Sequence, residues 1–284
     1  MPTLPLPHRQ IVRVAGEDAE RLLQDVITTD LDQLAAGDCL PGALLTPQGK
    51  ILFDFLVSRA DDHFRFDIED ALVTSFMQRL ALYRLRAKMT IEHDATIFVG
   101  TVWDDMPGNA YDALGIVRDL RFRSGRQVHR VHSVASLAAS ADPADFDRLR
   151  IAEGVAESGR DYALSDAFPH DVWMDRNGGL SFRKGCYVGQ EVVSRMQHRG
   201  TARRRLAIVE ADRSLQPGVA LTAGGKAVGT LGAVAGERAL ALVRADRVKA
   251  ALDSGHEIVA DDQSVKLALP GWTGLTFDSF STDE

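Results

Sequence analysis

The chain has 284 residues, 45% of them apolar and 26% charged, which excludes a disordered, collagen-like or coiled-coil protein and predicts two or three compact units rather than one uniform core. A formal net charge of −7 excludes general coating of nucleic acid, which needs a basic surface that releases counterions, so no direct nucleic-acid partner is expected. The opening Met1-Pro2-Thr3-Leu4-Pro5 has neither a cationic start nor an apolar run, and no later stretch is apolar over the ~18 residues of a membrane span, so the expectation is a monomeric cytoplasmic protein without a membrane partner.

In chain order, Ala19, Leu22, Leu23, Val26 and Ile27 recur at the spacing of one helix face and predict an amphipathic helix. Gly42 to Thr46 and Ile51 to Ser58 are short apolar runs separated by Pro47-Gln48-Gly49, which predicts a hairpin. Phe64 to Ile68 follows as a strand, and Leu72, Phe76, Leu80 and Tyr83 mark a second helix. Strand-like runs at Met89 to Glu92 and Thr96 to Val102 close this first α+β block. Asp142-Pro143-Ala144-Asp145 supplies an N-cap, a first-turn proline and a first-turn acid, predicting a helix over 143–153 that stops at Gly154. A long, partly irregular segment runs on to Arg183. From Leu206 onward apolar runs alternate with glycine turns, the rhythm of an antiparallel barrel of about 70 residues, and the polar end from Phe277 to Glu284 reads as a frayed tail.

The two cysteines, Cys39 and Cys186, are too few for a disulfide framework and are expected as reduced thiols. Neither forms a Cys-x-x-Cys pair and the eight histidines are scattered, so no metal ligand is assigned. Val188, Val192, Val193 and Met196 sit at helical spacing, which places Cys186 at or just before a helix N-terminus. There the exposed backbone N–H groups and the cations Arg183 and Lys184 would favour a thiolate. The residues alone leave this thiol open between a reactive sulfur and a small packing residue. Cys39, beside Leu40 and Pro41, reads as packing.

The run Lys184-Gly185-Cys186-Tyr187-Val188-Gly189-Gln190-Glu191 resembles the Lys-Gly-Cys-Tyr-x-Gly-Gln-Glu signature of the YgfZ family of folate-binding proteins, which serve iron–sulfur cluster assembly or repair and thereby tRNA modification. Val14-Ala15-Gly16-Glu17-Asp18-Ala19 with Leu22-Leu23-Gln24, Gln48-Gly49-Lys50-Ile51-Leu52, Tyr83 to Lys88, Leu149-Arg150-Ile151 through Gly154, Gly159-Arg160-Asp161-Tyr162 and Phe168-Pro169-His170 are similar to further blocks of that family. The resemblance implies an α+β, aminomethyltransferase-like folate-binding region of two interleaved subdomains over 1–200, a C-terminal antiparallel β-barrel over 201–274 and a tail over 275–284. It implies tetrahydrofolate or a derivative as cofactor, and iron–sulfur assembly proteins or client iron–sulfur enzymes as partners. Cys186 would be the chemically active residue, and Asp54, Tyr83, Phe146, Arg150, Glu153, Lys184, Tyr187, Gln190, Glu191 and Arg195 would surround the cofactor.

Two departures bear on activity. The related aminomethyltransferases carry paired aspartates, one of them assisting chemistry at the folate, where this chain has Phe53-Asp54 and keeps one carboxylate, the group that would orient or deprotonate an amine. Where relatives read Arg-x-Glu-Ala-Gly, this chain has Arg150-Ile151-Ala152-Glu153-Gly154, which moves the acid about 100° around the helix. The expectation is a folate-dependent accessory protein, with whether it turns over a substrate left open. One rival is a one-carbon transferase of the aminomethyltransferase type. The other is a cysteine-nucleophile hydrolase that would use His170 or His198 as its base. The cations Arg195, His198, Arg199, Arg203, Arg204 and Arg205 read as a solvated connector or a site for a carboxylate or phosphate. Trp173 reads as either a ring-stacking residue or a core lid.

Overall fold

A computed structural model of the chain describes residues 1–104 and 113–280. In chain order come β1 (Thr3–Pro5), β2 (Arg9–Ala15), α1 (Ala19–Val26), β3 (Asp38–Leu45), β4 (Ile51–Arg59), β5 (His63–Glu69), α2 (Val73–Arg84), β6 (Thr90–Asp94), β7 (Phe98–Trp103), β8 (Ala113–Asp119) and β9 (Val128–Ser133). They are followed by α3 (Pro143–Glu153), α4 (Met174–Asn177), α5 (Gln190–Arg199), β10 (Arg204–Ala211), β11 (Ala220–Ala223), β12 (Lys226–Ala235), β13 (Arg238–Arg244), α6 (Ala245–Asp253), β14 (Ile258–Ala260) and β15 (Gln263–Ala268). The chain divides into two compact units, Met1–Asp142 with Met174–Gln190, and Pro143–Trp173 with Glu191–Glu284.

The first unit is built on a nine-stranded sheet in the order β1-β7-β9-β8-β3-β4-β5-β2-β6. Its pairs are antiparallel except β3 with β8. Period-2 alternation sends Val12 and Val14, Phe53, Phe55 and Val57, and Phe64 and Phe66 to one face, where α1 and α2 add Leu23, Phe76 and Leu80. Phe76 packs on Phe53, Phe55 and Phe66 with ring centroids 5.5–5.6 Å apart, an edge-on and tilted cluster of the kind that aromatic quadrupoles favour. The alternate residues bring charge inside instead. Arg9 donates to Asp67 at 2.6 Å, Arg121 lies 2.7 Å from Asp119, and Arg130 lies 3.6 Å from Asp67 and 3.4 Å from Asp119.

The second unit holds a closed six-stranded antiparallel barrel, β10-β13-β12-β11-β14-β15, whose closure leaves no open edge. Leu206, Val209, Leu221, Leu231, Leu240 and Val265 fill its core. Helix α3 keeps the predicted bounds. Its fully buried Arg150 donates to Asp161 at 2.6 Å and to Asp147 at 2.8 Å, and Asp161 also accepts the Ala233 amide at 2.9 Å. Trp173 is completely buried, adopts a left-handed backbone conformation (φ 65°) and donates its indole N–H to the Leu206 carbonyl at 2.8 Å. It belongs to the core, and Arg205 stacks 4.5 Å above its ring.

Three sequence expectations change. Strands β1, β2, β8 and β9 were not legible as strands, because β9 reads Val-His-Arg-Val-His-Ser and all six residues are buried. Within the expected frayed tail Phe277 is buried in the barrel core and Phe280 packs against it, while residues 281–284 lie outside the described residues. The cationic run is solvated only in part: Arg205 is buried and donates to the His170 carbonyl, and Arg204 pairs with Asp166 and Asp171.

Candidate functional site

The segment from Gly178 to Gln190 lies in the first unit and is tied down at successive points. Thr28 Oγ1 donates to the Gly179 carbonyl at 2.6 Å while accepting the Ala43 amide at 2.8 Å, and the Ser181 amide donates to the Thr28 carbonyl at 2.9 Å. Lys184 then reaches back with Nζ to the Thr29 carbonyl at 2.7 Å and to Gln24 Oε1 at 3.1 Å. The same Gln24 oxygen accepts the Leu31 amide, so one α1 side chain joins the start of the next turn to the lysine. Burial lowers the Lys184 amine to about 8, against the pull of Asp30, Asp25 and Asp32.

Tyr187 closes the turn. Its buried ring lies 5.2 Å from Lys184 Nζ, its hydroxyl donates to the Ser181 carbonyl at 2.8 Å, and burial raises its pKa. Gln190 accepts the Tyr187 amide on Oε1 at 3.3 Å and donates its own amide to the Tyr187 carbonyl at 3.2 Å, so its side chain completes the turn as a reciprocal cap. Gly189 has φ +80°, and a Cβ there would stand 2.6 Å from the Thr46 carbonyl oxygen. Gly185 has no such neighbour within 4 Å. Between these anchors Cys186 is exposed with a free thiol. Helix α5 begins only at Gln190, so the thiol precedes the helix by a full turn and is presented by a braced loop rather than by the helix end.

The other expected cofactor residues are placed unequally. Asp54 is half-buried on β4 opposite Ala43, while its neighbour Phe53 points into the aromatic core against Phe76. Tyr83 is half-buried and packs on the same core. Phe146 is buried in α3, a packing position. Arg150 is enclosed with no side-chain exposure and engaged by Asp147 and Asp161 through Nε and Nη1, and its Nη2 is shielded without a hydrogen-bond partner. Glu153 is half-buried, and its Oε2 is shielded without a hydrogen-bond partner. Glu191 and Arg195 form an exposed i,i+4 pair at 2.7 Å. The structure therefore gathers Lys184, Tyr187 and Gln190 around Cys186, and it adds Gln24, Thr28 and Thr29, which sequence reading did not assign. Gln24 belonged to a recognised block, but nothing in its own surroundings pointed to a lysine 160 positions away.

Of the two bases weighed for the hydrolase reading, His170 is completely buried with Nε2 3.2 Å from Gln197 Oε1 and His198 is exposed in the last turn of α5; Cys186 makes no hydrogen bond to either among the described residues.

Residues 203–275 match the CAF17 C-terminal beta-barrel domain, the stretch that closes into the barrel described above. The human mitochondrial iron–sulfur cluster assembly factor IBA57 is 30% identical over 301 residues, covering 94% of this chain and 84% of the human protein. The chain belongs to the IBA57/CAF17 family. A mitochondrial IBA57 homolog of Mycosarcoma maydis is 28% identical over 221 residues, covering 71% of this chain and 55% of that protein. The chain thus spans about half the length of that fungal IBA57 relative. Aminomethyltransferase T of the glycine cleavage system from Bartonella henselae superposes with a TM-score of 0.68 at 14% identity, over 93% of this chain and 83% of that one. The aminomethyltransferase-like fold with a C-terminal antiparallel barrel is shown by these matches. The expectation of a cytoplasmic protein is overturned, because the IBA57 relatives are named as mitochondrial proteins. Reduced thiols and the lack of an apolar run fit more than one compartment and could not decide between them. No helix among the described residues is long and apolar enough to cross a membrane.

Proposed function

We propose that this IBA57/CAF17 chain is an iron–sulfur cluster assembly factor that binds tetrahydrofolate or a derivative and works through Cys186. The observation that carries the reading is an exposed thiol on a loop fixed by Thr28, Lys184 and Gly189, inside the one segment most like the YgfZ signature. A loop held this firmly presents a sulfur at a defined position, which suits exchange with a partner assembly protein or a client iron–sulfur enzyme. Support for tRNA modification would follow indirectly, through such clients.

Folate is tested against the residues present. Glu153 fits, because its shielded Oε2 lacks a donor and a pterin amino group or ring N–H would supply one. Arg150 is committed through Nε and Nη1 to Asp147 and Asp161, which leaves only its shielded Nη2 without a partner and able to donate to a ligand oxygen. When bound, a tetrahydrofolate supplies a carrier for a one-carbon group. The aminomethyltransferase alternative is weakened by Phe53, whose ring contributes to the aromatic core, while alternation along β4 turns Asp54 to the opposite face.

Calorimetry with tetrahydrofolate on the wild-type, Cys186→Ala and Glu153→Gln proteins, beside rescue of a strain lacking its own family member, tests both halves. The expected pattern is equal folate binding by wild type and Cys186→Ala, about tenfold weaker binding by Glu153→Gln, and loss of rescue with Cys186→Ala. Absence of folate binding by wild type would remove the cofactor, and full rescue by Cys186→Ala would remove the thiol.

A further inference from the structure

The C-terminal end of α2 and the turn after it present an apolar and cationic surface that the Cys186 reading leaves unused. Leu85 follows the last residue of α2 with φ 43° and ψ −104°, a backbone region that disfavours a side chain as large as leucine. Burial does not offset that strain, since Leu85 is 86% exposed and Leu82, one helical turn earlier, is 66% exposed. The turn is nonetheless held in place. Asp18 accepts the Lys88 amide on Oδ2 at 2.8 Å, the Lys88 carbonyl accepts the Asp18 amide at 3.3 Å, and Met89 is buried. Gly16 is pressed so close that a Cβ would lie 2.4 Å from the Lys88 oxygen. The leucine is therefore held outward by a braced loop.

Three arginines on the same stretch are exposed: Arg84 and Arg86 flank Leu85 in sequence, and Arg79 precedes Leu82 by about one turn of α2. Arg79 and Arg86 make no hydrogen bond or ion pair among the described residues, and Arg84 reaches only the Met89 carbonyl, at 3.5 Å. Lys88, by contrast, is offset by Glu17 at 3.1 Å. Unpaired guanidinium groups on the same stretch as an apolar knob, on a chain whose net charge is −7, form a local field opposite to that of the whole molecule.

We propose that Leu82 and Leu85, with Arg79, Arg84 and Arg86, dock an acidic segment of a protein partner. Preformed apolar anchors beside arginine side chains are what concentrated binding energy at protein interfaces requires. A membrane surface fits less well, because Val73, Phe76 and Leu80 of α2 are buried inside the unit and two exposed leucines give little to insert. The inference goes beyond the Cys186 reading and does not depend on it.

The test uses the full chain and a fluorescein-labelled helical peptide of glutamate and leucine, ~20 residues long to hold a helix, with its lysine counterpart as control. The acidic peptide should bind wild type and Cys186→Ala alike, and binding should weaken with added salt. Leu82→Asp and the double variant Arg79→Glu with Arg86→Glu should weaken it about tenfold or more. Leu85→Gly should also weaken it while raising the melting temperature, because glycine accepts the backbone conformation that strains leucine. Equal affinity across the variants, or no binding by wild type, would overturn the proposal. Binding to equimolar phosphatidylserine–phosphatidylcholine vesicles that the same substitutions abolish would replace it with a membrane site. A dimer in sedimentation that Leu82→Asp dissolves would replace it with self-association. Loss of folate binding or of rescue in the Cys186 experiments would leave every one of these outcomes unchanged.

Discussion

At the scale of single residues, one buried and one half-buried base contribute to the pH behaviour of the first unit. His132 is almost fully buried, neither ring nitrogen has a hydrogen-bond partner, and burial lowers its pKa to about 4 against the attraction of Asp67. Its unfolded value lies near 6.5, so between about 4 and 6.5 the unfolded chain binds the extra proton and stability rises with pH. Chemical denaturation across that window should show a loss of stability on acidification that His132→Leu reduces, with little change at neutral pH because the unsatisfied polar atoms leave with the ring. Lys184 acts in the same sense at higher pH. Its amine falls to about 8 in the folded chain from near 10.4 unfolded, so stability should climb between those values in wild type and stay flatter in Lys184→Met. That variant should also raise amide exchange across residues 178–190, because the links to Thr29 and Gln24 are gone. Cys186 and its neighbours were legible because they are contiguous in sequence, whereas Thr29 enters through its backbone carbonyl, which no side-chain motif encodes.

At the scale of elements, the Cys186 loop is set by one glycine more than the other, although both belong to the same signature. Gly189 has positive φ and no room for a methyl group against the backbone of Thr46, while Gly185 faces open space. Gly189→Ala should therefore destabilise the first unit by about 1–3 kcal/mol, read by urea denaturation, and disorder the thiol loop; Gly185→Ala should fall within about 0.5 kcal/mol of wild type. The hairpin of β3 and β4 and helices α1, α2 and α3 were readable because apolar periodicity and turn residues agree there with the final packing. Strand β9 was not, because Arg130 and His132 point inward. Arg130 is tolerated there through Asp67 of β5 and Asp119 at the end of β8, partners that strand pairing brings from distant sequence. Burial alone would raise the Asp67 carboxyl, but Arg9, Arg130 and His132 outweigh it and hold it at about 2.

At the scale of the whole molecule, the barrel-bearing unit is organised around a second buried ion pair, Arg150 with Asp161. Asp161 also accepts the Glu157 and Ala233 amides, so Asp161→Asn should cost about 3 kcal/mol by leaving the buried guanidinium with Asp147 as its close carboxylate partner, measured as a fall in the urea midpoint. Arg150→Met combined with Asp161→Asn should recover part of that loss. The sequence by itself determined the α+β class, the antiparallel barrel, the bounds of α3 and the segment that carries Cys186, since each rests on local periodicity, turn chemistry or a contiguous motif. Only the tertiary structure decided that Arg150 is enclosed between Asp147 and Asp161, that Trp173 belongs to the barrel core, and that Lys184 fastens the thiol loop to α1 and the turn after it. Those outcomes depend on contacts that no local pattern encodes: 11 positions separate Arg150 from Asp161, 33 separate Trp173 from Leu206 and 160 separate Lys184 from Gln24. A buried charge takes its meaning from the partner that long-range folding supplies.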